Sequence, residues 1–412
     1  MGALISSFDA RLSKKRVVII GGSLAGLACV RCLEKLGFDV AVIEPRDHLF
    51  IPFGAMRAGA SADAAWAKRV TVPLDRALKR GRIIRGRALG VEPAARTVSY
   101  APVEGGAEGS PASIAYDFLV LACGAQFATP FRPASLDAAP ARAALLALGA
   151  ALRGAARVVV VGGGACGIEL AGEVRDAAPD AAVTLVHSGA ALLSGAGNHA
   201  PPRALSDKLL ERLAARGVKT VLGARVTGVA GGRAHEAMGA SVQLGPLTAA
   251  LSSGGELVAD VLVWATGSGR PATEWLAGGP LAGAVDAAGG IKIARSYLVP
   301  GFDGIFAVGD CAAGPDAKAG WLLDSVAAIV AANARALALA APGAPPPALK
   351  QGPKDGFHGI LAVPIGRSDG AGLLPLGVVG PFLIKTIKGG DLFLGKVGGS
   401  VGYSAAELVA RA

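Results

Sequence analysis

The sequence predicts an α/β chain in which one strand–turn–helix plan is used twice, followed by a small C-terminal α/β domain. Two observations predict this. The stretch Val158–Glu169, VVVVGGGACGIE, runs four valines straight into Gly162, Gly163, Gly164 and Gly167. It reads as a buried parallel strand, a tight turn and the start of a helix. An earlier stretch, Arg16–Gly26, takes the same course through GGSLAG. Each is followed downstream by an apolar strand that ends in a small-residue turn, DFLVLACG at Asp117–Gly124 and DVLVWATGSG at Asp260–Gly269. The duplication is therefore of a whole domain plan and not of one turn. Both copies read as Rossmann-like dinucleotide-binding domains.

Bulk properties bound the rest. A chain of 412 residues exceeds one ordinary core, so two or three domains are expected. Hydrophobic residues make up 52% and charged residues 17%, which excludes a disordered chain. The mean hydropathy of +0.49 suggests a bilayer protein at first glance. The longest uncharged stretch near the C-terminus that invites this reading, Gly370–Ile384, is broken by Pro375 and Pro381 and is too short to span, so no transmembrane helix is expected. The net charge of +10 leaves an anionic membrane surface or anionic ligands such as dinucleotides as partners. No zinc-finger spacing or RNP motif occurs, so no nucleic-acid partner and no metal site are expected. Five cysteines, scattered and odd in number, fit a reducing compartment.

Taken in order, Met1–Ser6 matches the myristoylation pattern M-G-x-x-x-[ST], with Gly2 as acceptor. One acyl chain holds a membrane only marginally; Arg11, Lys14, Lys15 and Arg16 are either the second, electrostatic signal or a solvated flank. The first turn has G-x-G-x-x-G spacing over Gly21, Gly22, Ser23, Ala25 and Gly26, with Ser23 at the middle glycine. Glu44 closes the strand FDVAVIE, where a carboxylate can hydrogen-bond the ribose of an adenine dinucleotide. Cys29 and Cys32, three apart in the first helix, read as buried small hydrophobes rather than a redox pair. Disulfide-reducing flavoenzymes carry C-x-x-x-x-C soon after the first motif; that spacing is missing, so electrons are not expected to pass through an internal dithiol. Arg57, in HLFIPFGAMRA, is a candidate phosphate or substrate contact, with a surface salt bridge as the alternative. Ile83–Tyr100 reads as short antiparallel strands, Ala101–Ser110 as a hairpin loop, and Leu136–Arg153 as helix or linker.

In the second copy, Gly162 makes the turn, Gly164 lets backbone approach a pyrophosphate, and Gly167 lets the helix pack on its strand. His187 closes AVTLVH, where NAD-binding domains place an acid and NADP-binding ones an arginine, so NADH and NADPH both remain open. GIFAVGDCA at Gly304–Ala312 places Gly309 and Asp310 at a strand end ahead of an apolar helix, suited to a ribityl hydroxyl. PGAPPP at Pro342–Pro347 marks a boundary. The tail mixes apolar strands with Lys385, Lys388 and Lys396, which suits a membrane-facing or acceptor-site domain as well as an ordinary interface domain.

The ordered set GGSLAG…Glu44, VVVVGGGACGIEL, VLVWATG and FAVGDCA resembles the two-dinucleotide-domain flavoprotein oxidoreductases. Within them the chain is similar to the apoptosis-inducing-factor-like, ferroptosis-suppressor-protein family, through its MGxxxS start, VTLVHS, GRSDG and DLFLGK. Type II NADH dehydrogenases are similar in layout. The resemblance implies an FAD-dependent NAD(P)H:quinone oxidoreductase acting on a ubiquinone- or vitamin-K-like quinone. It would be cytoplasmic, lipid-anchored and peripheral on a membrane, with a homodimer left open. An NAD(P)H-dependent reductase of a protein acceptor, and a flavin-binding signalling protein with little turnover, are the alternatives. By the same resemblance Gly21, Gly26, Glu44 and Asp310 would hold FAD, and Gly22, Ser23, Ala25, Arg57, Cys123, Gly124 and Gly309 are further expected cofactor contacts. Gly162, Gly164, Gly167, His187, Thr266 and Gly267 belong to the NADH or NADPH site, with Glu169 and Lys318 near the reacting rings. Ser23 and Cys123 depart from the usual glycine and threonine. The implied layout is an acylation segment (1–14), an FAD domain (15–135 and 282–340), an NAD(P)H domain (154–281) and a C-terminal domain (350–412).

Overall fold

The computed structural model describes residues 8–105, 107–126, 134–194, 201–236, 238–267, 269–316, 320–355, 359–375 and 377–411. The elements that position the site are, in chain order, β1 (Arg16–Ile20), α1 (Leu24–Leu36), β2 (Asp39–Glu44), α2 (Pro52–Ser61), β3 (Arg157–Val161), α3 (Ala165–Ala177) and β4 (Ala182–Val186). The chain divides into two compact units. The first comprises Met1–Leu49, Pro73–Gln126 and Gly269–His358; the second comprises Phe50–Val72, Phe127–Ser268 and Gly359–Ala412. The two units thus alternate along the chain, each built from three segments, with 127–268 of the second lying between segments of the first. The second also takes in α2 from the early sequence and the C-terminal residues, both of which the sequence-derived boundaries place elsewhere.

In the first unit, β1 lies between β2 and Phe118–Leu121, parallel to both, and Ile305–Ala307 extends the sheet beyond Phe118–Leu121. Strand Arg82–Glu92 pairs in parallel with β2 and then turns back on Thr97–Glu104, carrying the antiparallel arm into what the sequence suggested was loop. Val18, Ile20, Ala41, Ile43, Leu119 and Leu121 fill one core with Ile305 and Ala307. Each such β-branched or leucine side chain contributes about 1.5–3 kcal/mol on burial. Helix Leu323–Ala338 continues from a short turn at Gly320. Together they form a stretch long and apolar enough to cross a bilayer, with mean hydropathy 1.3, which qualifies the sequence expectation of no such helix. Its Asn333 is buried and engaged on both amide atoms: Nδ2 donates to Ser296 O (3.0 Å) and Lys350 O (2.9 Å), and Oδ1 accepts from Lys350 N–H (2.7 Å). These bonds place it as a packed helix of the unit.

The second unit repeats the arrangement. β3 lies between β4 and Glu256–Trp264, parallel to both, and two long antiparallel strands, Gly239–Leu251 and Val226–His235, continue the sheet. The repeat extends to individual bonds. Asp117 Oδ2 accepts the Arg16 N–H at 2.8 Å, and Asp260 Oδ2 accepts the Arg157 N–H, also at 2.8 Å. The C-terminal residues add a three-stranded antiparallel sheet, Leu361–Ile365, Asp369–Leu374 and Gly377–Val379. It docks on α3 where Gly172 has no side chain: a Cβ there would stand 2.4 Å from Gly366 N and 2.5 Å from Ile365 C. Arg212 then fixes the sheet through a two-pronged pair with Asp369, at 2.8 and 2.7 Å.

Gly172→Val forces backbone apart at this contact and is expected to cost about 1–3 kcal/mol. Thermal melts check this; a variant melting with the wild type would mean the sheet does not rest on α3 there.

Candidate functional site

Both turns are built by glycines that no other residue replaces. Gly21 has φ +110° and a Cβ on it would meet Ala122 O at 2.2 Å; Gly162 has φ +123° and would meet Ala265 O at 2.5 Å. The last glycine of each motif is tighter still. A Cβ on Gly26 would stand 1.9 Å from Gly21 O, and one on Gly167 would stand 1.8 Å from Gly162 O. Between them, Gly164 begins α3, and a Cβ placed there would meet nothing within 4 Å. The helix end therefore opens onto space with its N–H groups and positive dipole end exposed, which fits a pyrophosphate. Ser23 begins α1 without a side-chain cap bond. Gly309 has φ +72°, and a Cβ on it would stand 2.9 Å from the Ala25 methyl.

The residue closing the second strand of each copy does the same job with different chemistry. Glu44, almost fully buried, accepts the Gly22 N–H at 2.8 Å and the Arg46 N–H at 3.0 Å. Two of about four acceptor positions on the carboxylate are thereby used, leaving capacity for ribose hydroxyls. His187 receives the Gly163 N–H on Nδ1 at 3.2 Å, and its Nε2 lies 3.0 Å from Ser194 Oγ. An Nδ1 that accepts requires the neutral ring with its proton on Nε2. Burial holds the imidazole pKa below its ordinary 6.5, in keeping with that form.

Glu169 lies one turn into α3, buried, and its Oε1 is 2.7 Å from Lys388 Nζ. Lys388 also donates to Ala362 O at 3.2 Å. Burial pushes the Glu169 carboxyl above its ordinary value, and the lysine charge opposes that rise. Lys388 comes from a π-helical turn, Lys385–Gly389, a rare form seen at functional positions.

The remaining predicted residues fall as follows. Gly124 has φ +72° beside Cys123, whose thiol lies against Cys311 and is raised by that contact and by burial. Thr266 and Gly267 are exposed at the end of Glu256–Trp264. Gly2 and Lys318 lie outside the described residues. Arg57 is neither a surface salt bridge nor open to a phosphate: it is 1% exposed and its guanidinium is taken up by Glu173 and two backbone carbonyls. The thiols of Cys29 and Cys32 are raised by burial, consistent with packing rather than redox chemistry.

Two dinucleotide turns, each at the end of a parallel strand in its own mixed sheet, point to a flavoprotein oxidoreductase that uses a nicotinamide dinucleotide. Residues 15–336 match the pyridine nucleotide-disulphide oxidoreductase family, and the chain belongs to it. Apoptosis-inducing factor homolog B of Dictyostelium discoideum is 26% identical over 92% of this chain and 95% of its own length. Ferroptosis suppressor protein 1 of Homo sapiens is 25% identical over 96% and 97%. Among solved structures, NDH2 of Plasmodium falciparum in complex with NADH shares the fold with a TM-score of 0.61, at 14% identity over 90% of this chain and 93% of that one. An FAD-dependent pyridine nucleotide-disulphide oxidoreductase from Desulfovibrio vulgaris has a TM-score of 0.56 at 19% identity, over 87% and 77%. FAD and NADH or NADPH are the cofactors.

Sequence reasoning missed the Glu169–Lys388 pair, counting Lys388 only as a tail lysine. The one available signal was the DLFLGK resemblance immediately after it.

Protonation of His187 puts a hydrogen on Nδ1 and removes the acceptor for Gly163. Since its folded pKa lies below 6.5, this bond is intact above that pH and fails as pH falls through the lowered value. NADH affinity, read by fluorescence titration, is expected to fall on acidification in the wild type and to stay flat in His187→Gln. Parallel curves would remove His187 as the cause.

Proposed function

We propose that this flavoprotein oxidises NAD(P)H and reduces a ubiquinone- or vitamin-K-like quinone at a membrane surface. What carries the reading is the buried pair that Glu169, on the helix that begins at the second turn, makes with Lys388 of the π-helical turn. FAD, when bound, supplies a two-electron relay between a hydride donor and a quinone. The net reaction, NAD(P)H + H⁺ + quinone giving NAD(P)⁺ + quinol, needs one proton beyond the hydride. Glu169, with its raised proton affinity, and Lys388, 2.7 Å away, together can hold it. The turn glycines Gly162, Gly164 and Gly167, with Thr266 and Gly267, hold the nicotinamide dinucleotide in this reading. Gly21, Gly22, Ser23, Ala25, Gly26, Glu44, Cys123, Gly124, Gly309 and Asp310 hold FAD.

What surrounds this chemistry supports a quinone as the acceptor. The thiols of Cys29 and Cys32 are held in their protonated form by burial, so they do not offer a dithiol relay. On the C-terminal segment Phe382 is 80% exposed, with Leu383 and Ile387 also exposed beside Lys385. Apolar side chains interleaved with lysine suit the boundary of an anionic bilayer. The N-terminal cations help less than their number suggests. Arg11, Lys15 and Arg16 are drawn to Asp9, Asp117 and Asp39 at 2.7, 3.2 and 2.7 Å. A myristoyl chain on Gly2 would act with the C-terminal face as the two signals that peripheral binding requires.

Anaerobic NADH or NADPH is expected to bleach the flavin of the purified holoprotein, and a short-chain quinone to restore its colour. Lys388→Met and Glu169→Gln are each expected to slow the bleaching about a hundredfold. A bleached flavin that a protein acceptor reoxidises and quinone does not would replace this reading with the protein-reductase one.

A further inference from the structure

The largest fully buried side chain among the described residues is a charge that the chemistry above does not use. Arg57, on α2, is 1% exposed. Its Nε lies 2.9 Å from both carboxylate oxygens of Glu173, and its Nη2 lies 2.7 Å from Glu173 Oε1. The other prongs leave the carboxylate. Nη2 also donates to Gly389 O and Nη1 to Gly390 O, each at 2.8 Å. The guanidinium stacks over Trp66 at 4.9 Å, and the indole N–H is itself anchored on Gly54 O at 3.0 Å. The side chain therefore has a single orientation, set by packing and by hydrogen bonds.

The two ends of this fork matter because of what stands next to them. Glu173 is four residues after Glu169 on α3, one turn along the same face. Gly389 directly follows Lys388, and the carbonyls of Gly389 and Gly390 close the C-terminal end of the π-helical turn that presents the lysine. A helix end leaves carbonyls without intrahelical partners, and a planar cation is well shaped to take two of them. One side chain thus joins the helix carrying Glu169 to the turn carrying Lys388. A lysine in its place, with one compact ammonium, could satisfy the carboxylate or the carbonyls but has no fork to span both.

We propose that Arg57 is a positioning residue for the Glu169–Lys388 pair, its guanidinium clamping the Lys388 turn to α3 so that ammonium and carboxylate stay in contact. The inference rests on the reading of that pair as the proton-holding site. Arg57 does not touch the reacting groups. It acts through the register of the turn, and an ångström of drift in such a contact is enough to cost about a hundredfold in rate.

The test compares Arg57→Lys, the double variant Arg57→Met with Glu173→Leu, Lys388→Met, and the double variant combined with Lys388→Met. The double variant removes both buried charges, so it avoids the unpaired carboxylate that a single Arg57→Met would leave. Hydrogen exchange on the cofactor-free protein reads the clamp directly. The Gly390 and Leu392 amides, bonded to Lys385 O and Lys388 O, are expected to exchange at least about tenfold faster in the double variant. In the holoprotein, anaerobic flavin reduction by NADH is expected to slow at least about tenfold at unchanged NADH affinity, with Arg57→Lys intermediate, and the double variant combined with Lys388→Met is expected to be no slower than Lys388→Met alone. Wild-type exchange and rate in a folded double variant would overturn the inference, as would losses that multiply with Lys388→Met. If the double variant does not fold, Arg57→Lys carries the same two readouts. Wild-type rates in Lys388→Met and Glu169→Gln would instead overturn the reading of the pair, and this inference with it.

Discussion

Both units depend on one backbone approach that no side chain survives. Gly26 against Gly21 O and Gly167 against Gly162 O leave less than 2 Å for a Cβ. That closeness lets a helix start directly above the end of its strand, so its first N–H groups face outward instead of into a loop. What suits each turn to a phosphate follows from this geometry. The strand beside it must supply an acceptor for the N–H of the motif's second glycine, which is why Glu44 and His187 occupy equivalent places despite their different chemistry. The strand on the other side must offer a small residue. Ala122 and Ala265 are the residues whose carbonyls face Gly21 and Gly162.

This duplication was legible in the sequence because its determinants are local. Four valines before a glycine run, a carboxylate or imidazole at the next strand end, and Asp–apolar–A-[TC]-G downstream each report a position within a few residues of themselves. The repeated Arg16–Asp117 and Arg157–Asp260 bonds were written there too, as an arginine opening one strand and an aspartate opening its neighbour. Sequence reading erred where contacts are distant. Lys388 meets Glu169 across 219 positions and Arg57 meets Glu173 across 116, and nothing in the spacing of single charged residues announces such a partner. The helix Pro52–Ser61 is a run of small residues whose sequence carries no sign of which unit it joins. The docking of the C-terminal sheet turns on Gly172, one of 60 glycines, distinguishable only once Gly366 is seen against it.

Charge in this protein is arranged unequally. A net +10 invited a reading of the N-terminal cations as a membrane signal, yet three of the four sit beside aspartates at ordinary ion-pair distance. Such exposed pairs contribute little to stability, commonly below about 1 kcal/mol. They still lower the positive potential available to an anionic surface. In the membrane reading proposed above, the face around Phe382 would rely chiefly on hydrophobic attraction, which ion pairing does not cancel.

The buried charges follow another logic. Glu169, Glu173 and Arg57 are each nearly inaccessible, and Lys388 is 14% exposed, so two cations and two anions share a confined volume in the second unit. Burial raises the proton affinity of both glutamates, and it is the leading influence on each. A group whose folded pKa is raised contributes stability below the unfolded value and loses it as pH rises through the folded one, so ionising this cluster opposes folding toward neutral pH. Apolar residues of similar volume would avoid that penalty, as they commonly do when they replace buried ion pairs. Stability alone therefore does not account for four charges here. What the apolar alternative would lack is direction: a carboxylate whose proton can leave, an ammonium at 2.7 Å to share it, and a guanidinium that fixes where the ammonium stands. On the reading proposed above, the cluster serves to hold a proton in place, a role that burial of four charges fits better than a contribution to the fold.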